Sequence, residues 1–264
     1  MINLKTFEDY ERLTTPKRLM KYVLIWCAEG CAELVVDEMA LDVPAKHVLT
    51  ITSGQVHYFK KLQAGTKGII LEFTLDFFCK DDKDIELIFH NGMFCHFAMN
   101  EVVPVRNYAV IERQLEQIRE ELLEQPYQYL ISVHSRIELI LVEINRSKVN
   151  RGDEIYKPDA LFLKFLELVR SNFEHNYSLS QYAALLSTTE AKLNEQAKLH
   201  TGKTAQNVIY GLVVSEAKRL LTYQKLSVKE VAYSLGFNDP FYFSNFFKKH
   251  TLQSPKAYQI QYAL

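Results

Sequence analysis

Residues 226–255 read LSVKEVAYSLGFNDPFYFSNFFKKHTLQSP. Ser227 stands before a short apolar-periodic run, Val228 to Leu235. A serine there can accept from the N–H groups that a helix start leaves unpaired. Gly236-Phe237-Asn238 makes a tight turn, in which glycine takes a positive φ at little cost. Asp239-Pro240 then supplies a cap with proline at the first helical position. Phe243 and Phe247 follow at helical spacing as the buried side of that second helix. Short helix, tight turn and second amphipathic helix are the parts of a helix-turn-helix.

The stretch has an earlier copy. YSLSQYA (177–183) aligns with LSVKEVA (226–232) at an offset of 49 residues. Beyond the turn the offset is 50, matching Leu193 with Phe243, Ala197 with Phe247 and Thr201 with Thr251. Between the copies Thr204 to Thr222 reads as one helix about 28 Å long. Two second helices held that far apart can enter successive major grooves, about 34 Å apart on one face of DNA.

The rest of the 264-residue chain differs in texture. Its length suits about two domains, and 48% hydrophobic with 24% charged residues suits a packed core rather than disorder. The net charge of −1 hides an asymmetry: residues 161–264 hold 12 Lys and Arg against 7 Asp and Glu, so the remainder is acidic. A basic C-terminal half suits a polyanion. The longest apolar run near the N-terminus, Tyr22 to Ala28, is far short of the roughly 20 residues of a membrane span. No signal core precedes it, and Cys27, Cys31, Cys79 and Cys95 form no disulfide framework. A cytoplasmic, reduced setting without membrane contact is expected.

From about 18 to 104, short β-branched and aromatic runs (Tyr22–Trp26, Ala32–Val36, His47–Thr52, Gly68–Thr74) alternate with Gly-containing turns, which predicts a small β-barrel or sandwich. Two helices follow over about 105–147. In the first, Tyr108, Ile111, Leu115, Ile118 and Leu122 form one apolar stripe between charged residues, a candidate dimer seam. In the second, Leu130, Val133, Ile137, Ile140, Leu141 and Ile144 face inward. The polar segment 149–159 (VNRGDEIYKPD at its core end) reads as a linker between a domain over 1–148 and an all-helical domain over 160–264. The fold class is thus α+β: a barrel with two helices, then two helix-turn-helix motifs joined by a linking helix.

EAKRLL (216–221), AYSLGF (232–237), FYFSNFFKK (241–249) and SPKAY (254–258) resemble the signature of the AraC/XylS family of bacterial transcription regulators. The barrel and helices, with SGQVH (53–57), resemble that family's cupin-like sensor and dimerisation domain. The resemblance implies a sequence-specific regulator of promoters, an activator in preference to a repressor. It implies double-stranded DNA, a small-molecule effector, a second copy of the chain and, for an activator, RNA polymerase as partners. Five positions depart from the pattern: Glu195, Asn245 and Gln259 stand where arginine is usual, Ala197 where a buried phenylalanine is usual, and Leu252 where glycine is usual.

Candidate DNA contacts on the first motif are Thr188, Thr189, Lys192, Glu195, Lys198 and Lys203. On the second they are Phe241, Tyr242, Ser244, Asn245, Lys248 and Lys249. Asparagine can pair bidentately with adenine and an aromatic ring can touch a thymine methyl, whereas lysines reach phosphate and position without specifying. Lys218-Arg219 on the linking helix can do the same or pair within the chain. Candidate effector-lining residues are Tyr22, Trp26, His57, Tyr58 and Phe73. No cofactor or metal is expected: His47 and His57 lack an H-x-H partner, His90, His96 and Cys95 are scattered, and Asp81–Asp84 lacks the rest of a calcium loop. The alternatives are a cupin-type enzyme fused to the DNA-binding part, and a regulator whose barrel only dimerises. The missing metal ligands and the absence of nucleotide-binding or nucleophile-elbow motifs weigh against catalysis.

Overall fold

The computed structural model describes residues 2–9, 13–79, 87, 93–94, 100–152, 160–224 and 226–262. The chain divides into two compact units, Met1–Pro158 and Asp159–Leu264. Cys95, His90, His96 and Asp81–Asp84 lie outside the described residues.

Among the described residues the N-terminal unit holds nine strands: β1 (Asn3–Thr6), β2 (Lys17–Arg18), β3 (Tyr22–Glu29), β4 (Cys31–Val36), β5 (Met39–Pro44), β6 (His47–Ile51), β7 (Val56–Leu62), β8 (Lys67–Phe73) and β9 (Val102–Pro104). They form two antiparallel sheets, ordered β1-β8-β3-β6-β9 and β2-β7-β4-β5. The expected cupin-like barrel or sandwich is here two facing sheets. It also starts earlier than residue 18, because β1 pairs with β8 at Asn3↔Glu72.

Strand alternation assigns the two faces. Val23, Ile25 and Cys27 of β3 meet Ala32, Leu34, Val36, Val43 and Phe59 of the second sheet in one buried cluster. Tyr22, Leu24 and Trp26 point to the other face of the same strand, and they are buried too. A strand covered on both faces reads as an unbroken apolar run, which is why Tyr22–Ala28 shows no alternation.

The described residues of the unit also form helices α1 (Leu75–Phe78), α2 (Tyr108–Glu124) and α3 (Tyr129–Arg151). Phe78 stacks on His134 of α3 with centroids 4.9 Å apart, and on the sheet side it meets Phe73 at 5.6 Å. Across α2 and α3, Arg136 donates to Gln114 at 3.3 Å and to Gln117 at 2.5 Å, and the Ser132 hydroxyl donates to Glu121 at 2.5 Å. Lys46, in the β5–β6 turn, pairs with Glu112 at 2.7 Å and lies 4.4 Å from the Tyr108 ring centroid.

The expected dimer stripe is corrected by this packing. Ile111, Leu115 and Ile118 are wholly buried within the chain, Leu122 is half-buried, and Tyr108 is 43% exposed over Lys46. An amphipathic stripe shows only that something covers it, and here the covering atoms belong to the same chain. The linker is corrected at one end. Helix α3 continues through 149–151 to its C-cap at Gly152, and residues 153–159 lie outside the described residues.

The C-terminal unit contains α4 (Ala160–Arg170), α5 (Leu179–Leu185), α6 (Glu190–Thr201), α7 (Ala205–Tyr223), α8 (Val228–Ser234), α9 (Pro240–Thr251) and α10 (Pro255–Tyr262). Ser178 and Ser227 both form capping boxes, with Gln181 and Glu230. Hydrogen bonds from Ser227 hold the exposed Glu230 carboxyl below its ordinary range. Two short helix pairs, α5–α6 and α8–α9, flank the 19-residue helix α7.

Candidate nucleic-acid interface

The second pair is held by aromatic packing. Phe237, in the turn, lies 5.3 Å from Phe243 and 5.3 Å from Phe246, and Phe243 and Phe247 are wholly buried. Asp239 caps α9 by accepting the Phe241 N–H at 2.9 Å. The outer side of α9 then carries Phe241 at 81% exposure, Tyr242 at 66%, and Asn245, Lys248 and Lys249, all exposed. Ser244 is half-buried and its hydroxyl donates to the Pro240 carbonyl at 2.8 Å, so it is partly spent within the helix.

The first pair offers a different surface. Leu193 and Ala197 are buried on the inner side of α6. Thr189 is its N-cap, accepting the Lys192 N–H at 3.2 Å, and Thr188 is half-buried. Lys192 and Glu195 are exposed and pair with each other at 3.0 Å, which cancels one positive charge on this face. Lys198 and Lys203 remain exposed.

The two turns and helix ends mirror each other with residues exchanged. The positive-φ turn position is Ser187 (φ 51°) in the first pair and Gly236 (φ 71°) in the second. After the outer helix it is Gly202 (φ 68°) in the first and Leu252 (φ 64°) in the second.

Lys218 and Arg219 are used inside the unit. Lys218 lies 5.1 Å from the Tyr258 ring centroid, and Arg219 pairs with the buried Glu216 at 3.4 Å. Gln259, read in the sequence only as a departure from arginine, has a structural role: its amide donates to the carbonyls of Leu221 at 3.1 Å and Leu226 at 2.8 Å. It thereby ties α10 to the end of α7 and the start of α8. Sequence reasoning missed Asn194, whose side chain accepts the Ala205 N–H at 3.0 Å and joins α6 to α7. Neither has a pattern signal, because both partners are backbone groups distant in sequence.

The candidate effector residues do not share one space. Tyr22, Trp26 and Phe73 point away from the second sheet, and Tyr22 meets Phe73 at 6.1 Å and Phe94 at 5.3 Å. His57 lies on the inner side of β7 with Phe59, so alternation turns the half-buried Tyr58 outward. The expected common lining is therefore three separate surfaces, because adjacent strand residues face opposite ways. Among the described residues no group of three or more His, Cys, Asp or Glu is placed to hold a metal ion. Burial pushes the Cys27 thiol up to about 11, which leaves it a poor nucleophile.

Burial also pushes the His57 imidazole down to about 4, with a backbone hydrogen bond at Gln55 and the Glu72 carboxylate only partly opposing the shift. The folded value lies below the ordinary value of 6.5, so the unfolded chain binds the proton more tightly. Stability from this group is full above about pH 6.5 and falls as pH drops toward 4. The expected loss is roughly 3 kcal/mol across that window. His57→Gln should flatten that part of the pH profile in thermal melts. An unchanged profile would remove His57 as its cause.

Residues 182–261 match a family described as a helix-turn-helix domain. An uncharacterized HTH-type transcriptional regulator of Pseudoalteromonas carrageenovora is 29% identical over 115 residues, 44% of this chain and 68% of that protein. The HTH-type transcriptional activator RhaS of Enterobacter sp. (strain 638) is 31% identical over 117 residues, 44% of this chain and 41% of that protein. The xylose operon regulatory protein of Haemophilus influenzae is 28% identical over 130 residues, 49% of this chain and 30% of that protein. The chain thus spans about two thirds of the first relative and less than half of the other two. Among solved structures, ToxT from Vibrio cholerae is 14% identical with a TM-score of 0.45, covering 99% of this chain and 98% of that one. The C-terminal domain of AraT from Geobacillus stearothermophilus is 21% identical with a TM-score of 0.39, covering 41% of this chain and 91% of that one.

Proposed function

Since residues 182–261 match a helix-turn-helix domain and the C-terminal unit is similar to HTH-type transcription regulators, we propose that the chain is a sequence-specific DNA-binding transcription regulator of the AraC family, an activator in preference to a repressor. The observation that supports this is the pair of helix-turn-helix motifs flanking one 19-residue helix, with α9 presenting exposed aromatic, amide and ammonium groups. The N-terminal unit serves as sensor and dimerisation domain for a small molecule. The homodimer forms through a surface other than the buried Ile111–Leu115–Ile118 stripe. The protein works inside the cell, meets RNA polymerase when it activates, and carries no catalytic role.

Within this reading α9 reads bases and α6 anchors the backbone, because Glu195 neutralises Lys192 where phosphate would approach. A binding selection with mutants of the full chain tests it. Asn245→Ala should change preference at one base position and cost roughly 1–3 kcal/mol. Lys248→Ala should weaken all sequences alike and lower the salt slope by about one. Glu195→Ala should leave preference unchanged and tighten non-specific binding. A specificity change from Glu195→Ala with none from Asn245→Ala would make α6 the reader.

A further inference from the structure

Two side chains on α9 stand one above the other with nothing among the described residues to occupy them. Phe241 and Asn245 are four residues apart, so they share one helical face about 6 Å along the axis. Phe241 is 81% exposed, and Asn245 is exposed. Among the described residues neither the Phe241 ring nor the Asn245 amide has a partner. Their neighbours are engaged: Tyr242 leans on Phe237 with centroids 6.0 Å apart, and Ser244 donates to Pro240. The backbone beneath Phe241 is fixed by Pro240 and by the Asp239 cap. An apolar ring held in water beside a free carboxamide is a surface prepared for a partner that offers a methyl group next to an acceptor–donor pair.

In the major groove an amide of this kind pairs bidentately with adenine, and a thymine close by supplies the methyl group. Thymine carries a 5-methyl group, and adenine offers N7 as acceptor and the N6 amino group as donor. We infer that Phe241 and Asn245 read a thymine and an adenine within two base steps of each other, Phe241 through the thymine methyl and Asn245 through adenine N6 and N7. The 6 Å offset between the side chains spans at most two steps of 3.4 Å. The inference rests on the reading of α9 as the DNA-contacting helix, and it adds what that helix recognises.

The test uses the full chain and the preferred duplex recovered from a random pool. Each thymine is replaced in turn by deoxyuridine, which removes only the methyl group. Each adenine is replaced by 7-deazaadenine, which removes only N7. Wild type should lose about fourfold in affinity at one thymine, the worth of one buried methyl. It should lose about fivefold at an adenine no more than two steps away, the worth of one hydrogen bond. Phe241→Ala should abolish the deoxyuridine penalty and keep the 7-deazaadenine penalty, Phe241→Leu should keep both, and Asn245→Ala should abolish only the second. A deoxyuridine penalty that survives in Phe241→Ala, or none in wild type, overturns the inference while leaving α9 a reader. A pool that yields no preferred sequence overturns both.

Discussion

Leu115→Glu is expected to unfold the N-terminal unit. Leu115 is wholly buried on α2 in the layer that also contains Ile111 and Ile118. A carboxylate there loses its water without gaining a partner, and the position cannot open without separating α2 from its neighbours. Such a burial costs more than about 4 kcal/mol, a large share of a typical domain's stability. Circular dichroism should show loss of β signal together with the loss of helix. The control is Leu123→Glu on the same helix. Leu123 is 83% exposed, and its replacement should change stability by no more than about 0.5 kcal/mol. Folded Leu115→Glu monomers alongside a wild-type dimer would put the stripe back between chains.

Gly236→Ala should lose roughly 3 kcal/mol in denaturant melts and abolish DNA binding. Two effects add at this position. The backbone has φ 71°, which costs an alanine about 1 kcal/mol. A Cβ would also stand 2.4 Å from the Glu174 carbonyl oxygen and 2.9 Å from the Asn176 nitrogen, and neither can yield without moving backbone. Overpacking of that kind adds about 1–3 kcal/mol. Gly202→Ala separates the two terms. It has φ 68° with nothing within 4 Å of the added carbon, so only the backbone cost of about 1 kcal/mol should appear. Equal losses at the two positions would mean the close approach to Glu174 is not real.

The C-terminal unit was legible because its signals are local. Ser178, Ser227 and Asp239 act on N–H groups two or three residues away, and the sequence shows both partners at once. The alignment of the two copies therefore carried the order of helices. The N-terminal unit was legible only as strands. Which sheet each strand joins depends on pairs such as Asn3↔Glu72 and Lys17↔His57, whose members lie far apart in the chain. The α2 stripe was read as a dimer seam, because periodicity shows an apolar face and does not name the partner that covers it. The effector residues were grouped by type, whereas strand alternation sends Tyr22 and Trp26 one way and His57 another. Gln259 bonds backbone carbonyls, which no residue pattern announces.

The exchange of glycine between the copies has a consequence for how the two outer helices are aimed. A turn in front of a helix sets its direction, and a bend after it does not. In the second copy the entry turn is the relaxed one, at Gly236, and the strained residue, Leu252, comes after the helix. In the first copy the order is reversed: Ser187 is strained at the entry and Gly202 is relaxed behind. About 1 kcal/mol of strain at an entry makes departure from that geometry about fivefold less unfavourable. Helix α9 is thus a fixed pointer and α6 a steerable one, so operators for this protein should tolerate variation in half-site spacing on the α6 side and not on the α9 side.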